Sequence, residues 1–257
     1  MIIDIVTIFP DMFSNIINDS IIKRAVDKGI VTINIHNFRD YALDKHNHVD
    51  DTTYGGGAGM LISVQPVVDC MKSIEGYNNA HKILTSPCGV KLDQDKANQL
   101  SKYDHILIVC GHYEGIDERI VNFVDEEISI GDYILTGGEI PALAILDSVI
   151  RLLPNAISDE STSIESFNNY LLEYPQYTKP LEYDGLAVPQ VLVNGNHEEI
   201  RKYRLFESIK KTYFKRPDLL EKATLDKEGL LYLECIKQGL NFDQSNDYIK
   251  KLKKKSK

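Results

Sequence analysis

Apolar positions alternate with polar ones at Ile3, Ile5 and Ile8 and again at Val31, Ile33 and Ile35, which predicts two strands. Between them Phe13, Ile16, Ile17, Ala25 and Val26 recur at helical spacing and Gly29 follows as a stop, so one amphipathic helix is expected there. Further strand candidates are 82–86 (KILTS), 105–110 (HILIVC) and 132–136 (DYILT), with helical patterns at 64–75, 93–102 and 116–122. Strands that alternate with helices imply an α/β domain, a mostly parallel sheet with helices on both faces. Ligands of such sheets bind at the carboxyl ends of the strands. Three loops leave strands at that edge: SPCG from 86, CGHYEG from 110 and TGGE from 136.

After the apolar run IPALAILDSVIRLL the pattern changes. PNAISDESTSIESFNN is Ser-rich and acidic and reads as a linker. The proline-containing stretch YPQYTKPLEYDGLAVPQVLVNGNH has little periodicity, and from Glu198 onward helical patterns dominate. The expected organisation is therefore a larger α/β domain over 1–157, a linker over 158–172 and a small all-helical domain over 173–257.

Charge sharpens this division. The net charge of −9 argues against a nucleic-acid partner, yet from His197 to the end there are 16 Lys and Arg against 10 Asp and Glu. An acidic body joined to a basic module suggests a catalytic domain beside one that meets a polyanion. A solvated helical face with a lysine tail, KKLKKKSK, would produce the same count. MIIDIVTI is broken by Asp4 and lacks a basic leader, so it reads as a strand and not as a signal peptide. No apolar run approaches the roughly 18 residues of a membrane span. Cys70, Cys88, Cys110 and Cys235 form no C-x-x-C pair, which points to reduced thiols in the cytoplasm and away from structural zinc.

The glycine-rich turn TGGE suggests a phosphate cradle, because bare N–H groups at a helix start attract anions. Glu139 would compete with a phosphate, no Lys or Arg lies within SIGDYILTGGEIPALAIL, and the P-loop and dinucleotide templates both fail. A neutral or cationic ligand fits better. VDDTTYGGGAGM, over 49–60, has backbone that can approach a ligand closely or move as a lid, with Asp50 and Asp51 as acceptors; a plain surface loop has the same composition. His46 and His48 beside these aspartates are too weak a pattern for a metal site. In CGHYEGIDERI, Glu114 at a strand end can accept from a cationic ligand or a base edge, though an ordinary helix start with Glu118 and Arg119 in surface pairs looks alike. Arg201, Arg204 and Lys211 fall near one helix face, either as a nucleic-acid grip or as a solvated stripe, while Tyr203 and Phe206 are expected in a helical core.

Taken together these stretches resemble the bacterial tRNA (guanine-N1-)-methyltransferases of the TrmD family, in the SPOUT superfamily. The likeness runs through FPDMF at 9, RDYALDKHNHVDDTTYGGGAGM at 39, SPCG at 86, LDQ at 92, CGHYEGIDER at 110, EISIGDYILTGGEIPA at 127, LLEYPQYTKP at 171 and NGNHEEIRKYR at 194. It implies a trefoil-knotted methyltransferase domain and a helical tRNA-binding domain, working as a homodimer with shared active sites. It also implies S-adenosylmethionine bound in the knot by Ser86, Pro87, Gly111, Tyr113, Glu114, Gly115, Ile130, Gly131, Asp132, Tyr133, Ile134, Leu135, Gly137, Gly138 and Pro141. Periodicity alone shows no knot, and base rates would argue against one.

The implied reaction methylates N1 of the guanine 3′ of the anticodon, position 37 of tRNA. That nitrogen carries a proton at neutral pH, so a base must withdraw it, and an Arg can stabilise the charge that grows toward O6. The family pattern assigns these roles to an Asp before Ser-Phe in the linker and to an Arg closing the knot helix. Here the Arg matches Arg151, whereas Ser166-Phe167 follows Glu165, with Asp159 and Glu160 as alternative carboxylates. His112 stands where the family commonly has Arg, Cys88 where Gln is usual and Asn155 where Gly often follows Pro. The likeness further implies that Asp50 reads the base 5′ of the target and that the helical domain, through His197, Arg201 and Arg204, grips the anticodon stem-loop. A divalent Mg requirement is not readable from the sequence. The competing readings are a non-catalytic RNA-binding relative, suggested by Glu165, and a phosphate-binding nucleotide enzyme, disfavoured by Glu139 and the missing Lys.

Overall fold

The computed structural model describes residues 1–57, 59–157 and 166–255. By its internal contacts the chain divides into two units, Met1–Asp159 and Glu160–Lys257.

The first unit is built on a five-stranded parallel sheet. Its strands are β1 (Ile2–Thr7), β2 (Thr32–Asn37), β5 (His81–Lys91), β6 (His105–Cys110) and β7 (Glu126–Ser129), in the order β2-β1-β6-β5-β7. Alternation along the strands feeds two cores, one on each face. Ile3, Ile5, Ile106 and Ile108 meet Phe13 of α1 (Asp11–Ile17), Ala25 of α2 (Ser20–Asp27), Leu100 of α4 (Gln94–Leu100) and Ile145 of α5 (Glu139–Ile150). Val6, Leu107 and Val109 meet Val67, Cys70 and Met71 of α3 (Val64–Ser73). Burial on both faces explains why these strands are apolar nearly throughout.

Three expectations are corrected. The single helix over 13–26 is two helices, because Asn18 bonds back to Ser14 O (2.7 Å) and the Asp19 carboxylate accepts from Ser20 N–H (2.6 Å). Short polar side chains that bond the backbone locally compete with helix continuation. The strand expected at 132–136 is absent; the edge strand is β7, ending at Ser129. β5 pairs with β7, bulges between Thr85 and Val90, and pairs again at Ile128 and Ser129, so β5 has no free edge for DYILT, and Ile134 is 85% exposed. The helix expected at 116–122 is a 3-10 helix, Glu118–Phe123. The glycine-rich loop, in turn, is framed by an antiparallel hairpin of β3 (Asp50–Thr52) and β4 (Met60–Ile62) that alternation was too short to reveal.

The second unit carries α6 (His197–Lys215), α7 (Pro217–Leu220), α8 (Lys227–Lys237) and α9 (Phe242–Lys255). Phe206 and Ile209 of α6 pack with Tyr232 and Ile236 of α8. The unit is not all-helical: β8 (Glu182–Tyr183) and β9 (Leu186–Ala187) form a short hairpin, closed across Asp184 and Gly185, both at positive φ. Leu171 and Leu172, within the span read as linker, are docked on α6: Leu171 joins its core, Leu172 N–H donates to Thr212 Oγ1 (2.9 Å) and Ser208 Oγ donates to Leu172 O (2.6 Å).

Candidate functional site

The carboxyl ends of β5, β6 and β7 open into a cavity of about 490 Å³, within the range of roughly 300–1,000 Å³ for small-molecule sites. Its walls are the three loops picked out by sequence. Every wall position implied by the resemblance lines it except Asp132. That side chain is 96% exposed, with Lys91 Nζ 3.8 Å away. Thr85, Glu118 and Glu127 line the cavity as well, and sequence reasoning missed them.

The loops are laced together by backbone. Gly138 N–H donates to Gly111 O (2.7 Å), and His112 and Gly137 form an antiparallel bridge. Gly138 has an ordinary φ of −83, so its requirement is purely steric: a Cβ there would overlap Thr85 Oγ1 and the Gly111 nitrogen. The second wall is braced from outside by the β3–β4 hairpin. Ile62 N–H donates to Gly115 O (3.0 Å) and Asp117 N–H to Ile62 O (2.8 Å), while Gly59, at φ +84, lies against the Glu114 side chain. Asp50 opens β3 opposite Ile62, half-buried, so the same hairpin fixes its height above the wall.

Among the described residues lining the cavity there are three carboxylates, Glu114, Glu118 and Glu127, and no Lys or Arg. An excess of negative groups around a partly dehydrated space favours a cation and opposes a phosphate. Glu139 is not among them. It is 1% exposed behind the wall, accepts from Thr7 Oγ1 (2.8 Å), and its other oxygen lies 3.5 Å from His112 Nδ1. Burial first, and then the Glu139 charge, push the Cys110 thiol well above its ordinary range.

Arg151 caps the far end of α5, half-buried, with its N–H on Asp147 O (3.3 Å). At about 1.5 Å rise per residue it stands on the order of 15 Å along the helix from Pro141 at the cavity wall. One chain therefore does not bring Arg151 into the cavity. Glu165, Asp159 and Glu160 lie outside the described residues.

In the second unit His197 is the first residue of α6 and exposed. Arg201 is paired with Glu198 (3.0 Å) and Glu228 (2.6 Å). Hydrogen bonds from Arg201 and then Lys202 pull Glu198 down to about 2. Arg204 lies over the Tyr174 ring, 4.9 Å from its centroid, and Lys211 donates to Glu173 O (3.0 Å). His48 is held by Asp44 through its backbone N–H (2.8 Å) and its ring. Among the described residues no group of three or more His, Cys, Asp or Glu is placed to hold a metal ion. No helix among them is long and apolar enough to cross a membrane.

Residues 1–222 match the family model described as tRNA (Guanine-1)-methyltransferase TrmD. Among curated relatives, a protein of Dictyoglomus turgidum is 50% identical over 239 residues, 93% of this chain and 97% of the relative. One of Limosilactobacillus reuteri is 48% identical over 92% of this chain and 96% of its own. One of Malacoplasma penetrans is 52% identical over 86% of this chain and 98% of its own. All three are named tRNA (guanine-N(1)-)-methyltransferase.

Proposed function

The chain belongs to the tRNA (guanine-1)-methyltransferase TrmD family, and from that premise we propose that it methylates N1 of guanine 37 in tRNA, using S-adenosylmethionine. The observation that carries this reading is the cavity: its volume suits a nucleoside with a short tail, its glycines let backbone edges reach a base, and its carboxylates without Lys or Arg suit a positive centre. When bound, S-adenosylmethionine supplies an electrophilic methyl group on a sulfonium that leaves as a neutral thioether.

The protein's own part is to make guanine N1 a nucleophile. Glu165 takes the N1 proton as the new N–C bond forms, and its extra methylene relative to Asp extends its reach from the linker. Arg151 stabilises the negative charge that develops toward O6. The distance between Arg151 and the cavity within one chain is reconciled by a site completed by a second copy. α1 and α5, which pack together, present exposed Met12, Ile16 and Ile140, an apolar surface suited to such a homodimer. The lacing of the loops over 86–91, 110–115 and 129–138 is what a trefoil knot would require. All four cysteines are unpaired, which suits a cytoplasmic enzyme.

The tRNA is held in two places. Asp50, fixed by its hairpin beside the wall, reads the base 5′ of the target. His197 and Arg204 meet the anticodon stem-loop, with Arg201 ordered by its two carboxylates at the same helix end. The deciding experiment is single-turnover transfer of labelled methyl onto a tRNA transcript whose target guanine follows a guanine. Product with the label at N1 is expected. Tight tRNA binding without product at saturating enzyme would leave a non-catalytic RNA-binding relative.

A further inference from the structure

Positive charge in the second unit is concentrated at one end. From His197 to Ile249 basic and acidic residues balance at ten each, so the whole excess of six lies in KKLKKKSK, the last eight residues. The family model ends at residue 222, well short of them. Upstream cations are offset locally: besides Arg201, Lys202 pairs with Glu198 (3.2 Å), Lys210 with Glu207 (3.3 Å) and Arg216 with Asp218 (2.7 Å). After Asp247 the chain carries no further acid.

These lysines begin on a docked helix. Phe242, Ser245, Asn246 and Ile249 recur at spacings of three and four and tie α9 to the rest of the unit. The Phe242 ring meets those of Tyr203 (5.3 Å) and Phe206 (5.7 Å), Tyr232 Oη donates to Asn246 Oδ1 (2.8 Å), and Ser245 and Ile249 are buried. At about 100° per residue, positions 250, 251, 254 and 255 fall on the arc opposite that face. Lys250 and Lys251 are exposed, with the Lys250 ammonium 3.7 Å from Asp247. Helix stability does not explain this pattern. Positions 250 and 254, and 251 and 255, are like-charge pairs four residues apart, which destabilise a helix. The helix dipole favours cations in the last turn, and Lys250 and Lys251 precede it.

We propose that α9 is a separate RNA-backbone contact, whose lysine arc binds phosphates of the tRNA and supplies most of the salt-dependent part of the affinity. This rests on the tRNA reading above. A Lys ammonium is a compact point charge, and contacts to phosphate carry no base information, so the arc adds holding strength without sequence preference. Each phosphate it neutralises releases counterions, which is the source of an affinity that falls with salt. The segment from His197 to Ile249, with no net charge, positions the RNA through individual contacts. Recognition and retention are thereby divided between two parts of one unit.

Filter binding of a tRNA transcript to the full-length protein across a range of salt concentrations tests this. One variant combines Lys250→Gln, Lys251→Gln, Lys253→Gln, Lys254→Gln, Lys255→Gln and Lys257→Gln, which removes the charge and keeps the helix propensity. A second carries Arg at the same six positions and keeps the charge. In the Gln variant the slope of log affinity against log salt is expected to shrink by about 2–4, at roughly 0.7–0.9 per lost phosphate contact, and affinity at low salt to fall at least about tenfold. The Arg variant keeps both. Donor affinity and the single-turnover rate at saturating tRNA are unchanged in both variants, because the loss falls on RNA binding and not on chemistry. With its like-charge pairs relieved, the Gln variant melts no lower than the unaltered protein, which certifies its fold. An unchanged slope in the Gln variant, tighter tRNA binding by it, or an equal loss in the Arg variant overturns the proposal while leaving the tRNA reading intact. Failure of the unaltered protein to bind tRNA at any salt concentration overturns the tRNA reading and this inference with it.

Discussion

Gly138→Ala is the most direct probe of how the cavity is built. Its φ of −83 suits any residue, so the substitution carries no backbone strain. The added Cβ would overlap Thr85 Oγ1 and come within 2.8 Å of the Gly111 nitrogen and 2.9 Å of Cys110 Cα. Two of these three atoms are backbone at the end of β6, a buried central strand that cannot yield locally. The relief must come from the 137–138 turn, which loses its bond to Gly111 O (2.7 Å) as it withdraws. Overpacking of this kind costs about 1–3 kcal/mol. For a unit of this size about 2 kcal/mol corresponds to a drop in Tm of roughly 4–8 °C. The displaced turn is a cavity wall, so donor affinity should fall by at least about tenfold, or 1.4 kcal/mol. Scanning calorimetry and isothermal titration read the two effects, with Gly56→Ala as a comparison, where strain at φ +79 but no clash is expected. Removing the one side-chain overlap in Gly138→Ala/Thr85→Ala should restore part of both losses, although Thr85 Oγ1 then no longer donates to Val109 O (3.1 Å). Unchanged melting and unchanged affinity in Gly138→Ala would refute the steric account.

Glu165→Gln should abolish methyl transfer in single turnover while sparing donor affinity; near-normal rates would move the role of base to Asp159 or another carboxylate. Asp4 is buried within the sheet, on β1, and although burial would raise its pKa, bonds from His36 (2.6 Å), Asn34 (3.0 Å) and His105 (2.6 Å) hold it below the ordinary carboxylate value. A depressed pKa stabilises above the unfolded value near 4 and is lost as pH falls through the folded value. Asp4→Asn should thus cost about 1.5–3 kcal/mol at pH 7, the size of hydrogen bonds to a charged group, and flatten acid denaturation below about pH 4, both measurable by urea titration across pH; an unchanged profile would count against the account. Cys88 is exposed at the cavity, whereas burial raises Cys110 well above its ordinary range and Cys70 to about 12, so a thiol reagent at pH 8 should modify Cys88 first. Saturating S-adenosylmethionine should slow that reaction, as peptide mapping of the adduct would show. Log affinity for tRNA should fall with log salt by roughly 0.7–0.9 per phosphate contacted; a flat response would mean that the basic second unit does not touch RNA.

The strands β1, β2, β5 and β6 with helices between them, the two-sided burial of the sheet and the three loops at its carboxyl edge were legible from one dimension, because each depends on a local apolar pattern and on glycine. Most of the cavity wall came from the family resemblance, whose motifs carry both the turns and the side chains that the turns present. Pairing was not legible. DYILT is a short apolar run like a buried strand but finds no free edge beside β5, and the β3–β4 hairpin is too short for periodicity to announce. Nor was direction legible: Glu139 reads as a carboxylate guarding the cavity, yet α5 turns it inward to Thr7, and only that packing sets it 3.5 Å from His112. Local sequence determines what each segment can form and which residue types it carries. Which edge is free, which carboxylate is buried and which imidazole faces it are decided by long-range contacts, and those exist only once the sheet has closed.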